Sequence, residues 1–206
     1  MLDFEALENA AVFDTPFNYL TAGEVLTRAQ AAEIRRDYPP ITRNGFLPLS
    51  RLETKGAFLA LIEDLRSPRL AEILSGKLDF DFRDKPVMIT VRRLSKRGDG
   101  RIHNDSVAKI GTLLIYLNDT WRGSGGVIRA LNGPDNMDDF AAEVPPLAGN
   151  VFAFVRSPAS WHGHPPYAGE RYVVQTTWLS SREELARKEK RGGLQYYLKK
   201  LNPFSI

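Results

Sequence analysis

The spacing of apolar residues changes near residue 86, from a helical repeat to short β-rich runs. Before that point, Phe58, Leu61, Ile62 and Leu65 recur at the three- and four-residue spacing that places side chains on one face of a helix. The first 80 residues are therefore predicted to be mostly helical.

Capping residues predict where these helices begin and end. Thr27 is expected to cap a helix over 28–37. Ser67 and Pro68 have the order of an N-cap followed by proline in the first turn, and Gly76 is expected to close that helix.

The second half of the chain has the pattern of consecutive β-strands. Strands that follow one another without intervening helices form antiparallel sheets. We therefore predict a mainly β fold with flanking helices: a jelly-roll core that carries the N-terminal helices on one sheet. Glycine, proline and polar residues separate the predicted strands, which span 87–94, 110–117, 127–131, 151–155 and 172–179.

The C-terminal segment returns to a helical pattern. Ser181 and Glu184 have the spacing of a capping box before a helix over 185–191, which Gly192-Gly193 is expected to break. A basic tail with Lys199-Lys200 follows. We predict one domain over 1–206, made of helical support (1–85), a jelly-roll catalytic core (86–180) and a C-terminal helix with a basic tail (181–206).

Composition narrows the classes of function. The chain has 206 residues, of which 43% are hydrophobic, enough for one sizeable core. Because it has no cysteine, thiolate metal sites, disulfides and cysteine nucleophiles are excluded. The net charge of +3 is too small to indicate nucleic acid. The sequence shows no signal peptide and no membrane span, so a cytoplasmic location is expected.

All three histidines fall in the β-rich half, as His103, His162 and His164. On an extended segment the side chains of His103 and Asp105 point the same way. Two imidazoles and one carboxylate give a divalent iron three ligands on one face, which leaves positions open for a cosubstrate and O₂. His103, Asp105 and one later histidine are therefore candidate metal ligands, although an isolated His-x-Asp sequence is common without a metal.

Arg171 opens the last predicted strand, nine residues after His162 (171 − 162 = 9). A guanidinium is the best partner for a fixed carboxylate, such as the distal carboxylate of 2-oxoglutarate. Thr112, Leu114 and Tyr116 share one strand face, so the Tyr116 hydroxyl and Thr112 are candidates to assist there. A surface arginine in a turn and a core tyrosine are the alternatives.

Taken in order, these motifs resemble the Fe(II)/2-oxoglutarate-dependent dioxygenases, and among them the prolyl-hydroxylase-like branch. The resemblance covers roughly residues 87–179 and implies a jelly-roll core. Its motifs are His103-Asn104-Asp105, a strand ending at Asn118, Gly125-Gly126, Gly149-Asn150, Ser160-Trp161-His162 and Gly169-x-Arg171.

The resemblance also implies roles for individual residues. Iron would be held by His103, Asp105 and His162, and 2-oxoglutarate by Arg171. His164 would lie near the site, toward the substrate or the cosubstrate carboxylate, and an exchange of roles between His162 and His164 stays open. The cofactors implied are Fe(II), 2-oxoglutarate and O₂, with ascorbate as a candidate stimulant.

The predicted function is hydroxylation of a small molecule or a protein side chain, with release of succinate and CO₂. A zinc-type hydrolase with the same three ligands and a non-catalytic jelly-roll binding module are the alternatives. Basic residues before His103 predict either a solvated loop or attraction of an anionic substrate. They are Arg92, Arg93, Lys96, Arg97 and Arg101.

Overall fold

The structure, a computed structural model, describes the backbone of residues 1–201 and the side chains of residues 1–193. Its α-helices are α1 (Phe4–Glu8), α2 (Arg28–Arg36), α3 (Gly56–Leu65), α4 (Pro68–Leu78) and α5 (Arg182–Leu201). Its strands are β1 (Ala11–Phe13), β2 (Tyr19–Ala22), β3 (Leu47–Pro48), β4 (Val87–Ser95), β5 (Lys109–Tyr116), β6 (Ile128–Leu131), β7 (Phe140–Val144), β8 (Val151–Val155), β9 (His162–Gly163) and β10 (Gly169–Leu179).

Two antiparallel sheets make up the jelly-roll core. The larger sheet has the strand order β1-β2-β8-β5-β10-β4-β3, and the smaller has β7-β6-β9. Apolar side chains from both sheets form one buried cluster, to which β5 and β10 contribute Tyr116 and Val173 and β6 contributes Ile128. The predicted mainly β fold with a jelly-roll core is confirmed.

The N-terminal helices cover the other face of the large sheet. Phe58 and Leu61 of α3 belong to a second buried cluster, together with Leu113 and Ile115 of β5. Because side chains alternate across a strand, Thr112, Leu114 and Tyr116 then face the inside of the jelly roll. Both faces of β5 are covered, which explains why its residues from position 111 onward are buried.

The N-terminal part also contributes strands that the sequence pattern does not predict. β2 pairs with β8, and β3 pairs with β4, so this part extends the large sheet at both ends. These strands have four and two residues, too few to establish a repeat of two. Their β-structure depends on hydrogen bonds to strands far away in the sequence.

Two predicted helix ends are wrong. Gly76 lies inside α4, which ends instead at Leu78 and is capped by Asp79 in the left-handed region with φ 45°. Gly192 lies inside α5, where an added Cβ would come within 2.5 Å of the Pro48 side chain. Glycine is used there for close packing of the helix against β3.

Other features of the termini agree with expectation. The Ser181 Oγ accepts a hydrogen bond from the Glu184 backbone N–H at 3.3 Å, the first half of the predicted capping box. The predicted basic tail, with Lys199-Lys200, lies outside the residues whose side chains are described. None of the helices within residues 1–201 is both long enough and apolar enough to span a bilayer.

Substitution of Gly76 by alanine should stabilise the protein. Gly76 is exposed inside α4 and has nothing within 4 Å of an added Cβ, so Gly76→Ala removes backbone entropy without a clash. The expected gain is about 0.5–1 kcal/mol in the free energy of unfolding, measured by urea denaturation.

Gly111→Ala is the matched opposite case. An added Cβ there would lie 2.3 Å from Cε1 of the buried Phe82 ring, so a loss of about 1–3 kcal/mol is expected. If both variants shifted the urea midpoint in the same direction, the two assigned environments would be wrong.

Candidate metal centre

The three candidate ligands of the sequence analysis lie together at one end of the jelly roll. One potential ligand atom from each of His103, Asp105 and His162 lies within 4.8 Å of the other two. His103 and Asp105 lie on the segment between β4 and β5, and His162 begins β9. Two imidazoles and a carboxylate suit a divalent iron and leave coordination positions open.

A direct backbone bridge brings the two imidazoles together. The N–H of His103 donates to the carbonyl of His162 at 3.0 Å, and the N–H of His162 donates to the carbonyl of His103 at 3.0 Å. The ring centroids are 4.3 Å apart. This antiparallel pair closes a separation of 59 residues in the sequence (162 − 103 = 59).

Backbone carbonyls orient both rings. His103 Nδ1 lies 2.9 Å from the carbonyl oxygen of Arg101, and His162 Nδ1 lies 2.9 Å from that of Ser160. A carbonyl only accepts, so each Nδ1 carries a proton, and Nε2 is the ring nitrogen that is left to bind a metal. Such outer hydrogen bonds fix the tautomer of metal-binding histidines.

Burial keeps His162 neutral. Burial, with the neighbouring His103 ring, lowers the pKa of His162 from 6.5 to about 4. Since a metal binds the neutral ring, protons do not compete with a metal for this nitrogen near pH 7.

Asp105 is a buried carboxylate that is held ionised. Burial alone would raise its pKa, but Lys109 and His162, with hydrogen bonds from Lys109 and Thr112, hold the pKa below its ordinary value. Lys109 Nζ lies 2.6 Å from Oδ1, and Thr112 Oγ1 donates to Oδ2 at 2.8 Å. Thr112, expected at the cosubstrate carboxylate, thus contacts the carboxylate of the metal site instead.

Asn104 connects the two segments that carry the ligands, and the sequence analysis did not identify this role. Its amide donates to the carbonyls of Ser157 and Pro158 at 2.7 and 2.9 Å. Its oxygen accepts from Ser160 Oγ at 2.7 Å. The signal in the sequence was its place between two candidate ligands, where its side chain points away from both.

Arg171 lines the same cavity as the three candidate ligands. The cavity has a volume of about 200 Å³. Arg171 is only 2% exposed; its Nε donates to the Gly126 carbonyl at 2.9 Å and its Nη2 to the Tyr116 hydroxyl at 3.1 Å. Burial raises the pKa of Tyr116, so its hydroxyl stays protonated. The alternative of a surface arginine in a turn does not apply.

His164 lies in the cavity wall but outside the group of three candidate ligands. Its Nδ1 lies 2.9 Å from the Pro165 carbonyl oxygen, and its Nε2 has no hydrogen-bond partner within the described part of the chain. Burial, followed by the charge of Arg171, lowers its pKa to about 4.

Of the basic residues before His103, Arg92 alone lines the cavity. Its guanidinium stacks over the Phe46 ring at 4.2 Å, and Phe46 belongs to the N-terminal part of the chain. Arg93 is paired with Glu170 at 2.7 Å on the outside, and the other three are exposed. Lys96, Arg97 and Arg101 therefore belong to a solvated loop, whereas Arg92 and Arg93 lie on the inner and outer faces of β4.

Comparison with known families supports the resemblance drawn from the sequence. Residues 89–180 match the family model described as the 2OG-Fe(II) oxygenase superfamily. None of the curated protein sequences matches the chain significantly.

Several solved structures similar to this chain are prolyl hydroxylases. A Pseudomonas putida prolyl-4-hydroxylase is 19% identical, with TM-score 0.50 over 79% of this chain and 92% of that chain. A Phytophthora capsici prolyl 4-hydroxylase is 18% identical, with TM-score 0.57 over 89% of this chain and 68% of that one.

A third is the viral collagen prolyl hydroxylase of Paramecium Bursaria Chlorella virus-1, in its 2OG complex. It is 16% identical, with TM-score 0.52 over 80% of this chain and 96% of that one. The predicted resemblance to the Fe(II)/2-oxoglutarate-dependent dioxygenases is confirmed over residues 89–180, and the three solved structures show that the chain shares its fold with prolyl hydroxylases.

Acid should destabilise the metal-free protein partly through His164. In the unfolded chain the His164 side chain is protonated as the pH falls through about 6.5. In the folded chain it is protonated only near pH 4. This contribution to stability is fully present above pH 6.5 and is lost as the pH falls toward 4. It amounts to about 2–3 kcal/mol near pH 4.5.

The measurement is the free energy of unfolding in urea, near pH 7 and near pH 4.5, for the wild type and His164→Asn. Asparagine retains a donor for the Pro165 carbonyl but does not titrate. The acid-induced loss should be smaller in the variant by about 2 kcal/mol. Equal losses in both proteins would contradict a buried neutral His164.

Proposed function

We propose that this chain, whose residues 89–180 match the 2OG-Fe(II) oxygenase superfamily, is an Fe(II)- and 2-oxoglutarate-dependent dioxygenase that hydroxylates an organic substrate. One observation carries the proposal: the buried guanidinium of Arg171 lines the same small cavity as His103, Asp105 and His162. A metal site that faces a buried cation suits a metal chelator with a distant second carboxylate, as 2-oxoglutarate is.

The residues fit the metal and the cosubstrate. The Nε2 atoms of His103 and His162 and a carboxylate oxygen of Asp105 would hold Fe(II). Each carboxylate oxygen has two lone pairs, so Asp105 can bind a metal while accepting hydrogen bonds from Lys109 and Thr112. Arg171 and Tyr116 would hold the distal carboxylate of 2-oxoglutarate.

The proposed reaction balances as follows. Fe(II), when bound, supplies activation of O₂ coupled to decarboxylation of 2-oxoglutarate. One oxygen atom enters succinate and the other converts a substrate C–H bond to C–OH, with release of CO₂. The protein residues orient the ligands, keep the His162 imidazole neutral and the Asp105 carboxylate ionised, and exclude water from the buried end of the cavity.

The substrate is proposed to be a small molecule or a protein side chain. A Trichoplax adhaerens neighbour is described as a prolyl hydroxylase in complex with a hypoxia inducible factor peptide, which supports peptides as one class. We place the activity in the reducing cytoplasm, which suits ferrous iron, and expect ascorbate to stimulate it. A zinc-type hydrolase would give Arg171 no function, and the presence of all three candidate ligands together with Arg171 argues against a non-catalytic binding module.

Arg171→Met should weaken binding of 2-oxoglutarate at least tenfold while metal binding persists. Anaerobic wild-type protein with Fe(II) and 2-oxoglutarate should show a weak visible charge-transfer band, and the variant should need at least tenfold more cosubstrate to form it. Arg122→Met, at an exposed position, is the control and should behave as the wild type. A folded wild type without the band would refute the proposed function.

Substitutions of His162 and His164 should have different effects on the affinity for Mn(II). His162→Ala removes a proposed ligand, so Mn(II) binding followed by electron paramagnetic resonance should weaken at least tenfold. His164→Asn should change it less than about threefold, because His164 lies outside the group of three. A larger loss of Mn(II) affinity in His164→Asn than in His162→Ala would show that His164, and not His162, is the metal ligand.

A further inference from the structure

The strand register places Arg92 at the same depth of the cavity as Tyr116. Both residues are paired with Val173 of β10, Tyr116 from β5 on one side and Arg92 from β4 on the other. Residues directly opposite each other point to the same face, and neighbouring strands lie about 4.8 Å apart. Arg92 and Tyr116 therefore flank the end of the cavity where Arg171 lies.

Arg92 is a buried cation with few partners. It is 8% exposed, and its Nε has no hydrogen-bond partner among the residues that the structure describes. Its Nη1 makes only long contacts, 3.4 Å to Ser95 Oγ and 3.5 Å to Asp99 Oδ2. Burial lowers its pKa to about 10, which leaves it charged near pH 7. A buried charge with an unmade hydrogen bond is costly, so an anion that completes its bonding is favoured.

Among the charges that line the cavity, none pairs with Arg92; its carboxylate neighbour is Asp99, which lies 3.5 Å away and outside the cavity lining. Lys109 is paired with Asp105. Arg171 is assigned to the distal carboxylate of 2-oxoglutarate, whose other carboxylate goes to the metal. One guanidinium, that of Arg92, remains for a further carboxylate.

His164 presents an unused acceptor in the same cavity. Its Nδ1 proton is directed at the Pro165 carbonyl, so the buried Nε2 holds a lone pair with no donor. The residue is 4% exposed. The 2-oxoglutarate dianion has no N–H or O–H group and cannot satisfy this nitrogen.

We propose that Arg92 and His164 form a second ligand-binding position beside Arg171 and Tyr116, with Arg92 binding a carboxylate and His164 accepting from an N–H or O–H group. The proposal rests on the proposed function and names its substrate class: a free α-amino acid or α-hydroxy acid. Asp99 is the carboxylate that faces Arg92 in the structure, and the ligand's carboxylate would take its place.

The test uses the Mn(II)-loaded protein with and without saturating 2-oxoglutarate. Proton nuclear magnetic resonance would record the broadening, by Mn(II), of signals from the standard L-α-amino acids and L-lactate. We expect at least one of these acids to be broadened by the wild type and not by Arg92→Met. The corresponding amino acid amides, which lack the carboxylate, should not be broadened.

Matched variants keep the result interpretable. Arg93→Met changes the next residue on β4, on the outer face, and should behave as the wild type. Arg92→Lys keeps the charge but loses the paired N–H donors of the guanidinium, so binding of the acid should be intermediate. This variant replaces Arg92→Met if Arg92→Met does not fold. His164→Asn should weaken binding of the same acid at least threefold while 2-oxoglutarate binds as in the wild type.

The dissociation constant of 2-oxoglutarate identifies the source of the carboxylate. If Arg92→Met leaves it within about twofold and removes the broadening, the carboxylate belongs to the substrate, as proposed. If it weakens at least tenfold and no acid is broadened, Arg92 binds the cosubstrate and the substrate class is wrong. If Arg92→Met changes neither the dissociation constant of 2-oxoglutarate nor the broadening of the acid signals, the second position is refuted and the proposed function is unaffected. Failure of the wild type to bind 2-oxoglutarate refutes the proposed function itself. In that case the comparison of wild type and Arg92→Met with Mn(II) alone still tests whether Arg92 binds the acid.

Discussion

The antiparallel hydrogen-bonded pair between His103 and His162 is the contact on which the site depends. Two backbone hydrogen bonds of 3.0 Å join segments 59 residues apart, and each member of the pair carries an imidazole. The Asn104 side chain holds the same two segments together at their next turn. Since backbone atoms are less free than side chains, the two rings are positioned before any metal binds.

The cavity exists because the large sheet is covered differently on its two faces. Helices and N-terminal residues fill the outer face with apolar side chains, whereas the inner face carries Thr112, Tyr116 and Arg92 toward the small sheet. Burial on that side changes the chemistry of each group. It keeps His162 neutral and Tyr116 protonated, and it leaves Arg92 charged but poorly hydrogen-bonded. These states suit binding of a metal and of anions.

Regular repeats gave correct predictions because their signals are local. The helical spacing of Phe58 and Leu61, the Thr27 cap and the alternation along β5 are each set by neighbouring residues. The His103-x-Asp105 spacing likewise constrains where two side chains point. The strands β2 and β3 could not be predicted, because their pairing depends on β8 and β4, which lie far away in the chain. Gly192 was misread because its role is contact with Pro48, which local sequence does not encode.

The sequence by itself determined the type of fold, the residues available as metal ligands and the presence of an arginine suited to a carboxylate. Only the tertiary structure decided which histidine joins His103 and Asp105, that Thr112 contacts Asp105, and that Arg92 lies inside while Arg93 lies outside. The physical reason is that a strand repeat fixes which residues share a face, whereas the packing of sheets and helices decides which face becomes a cavity.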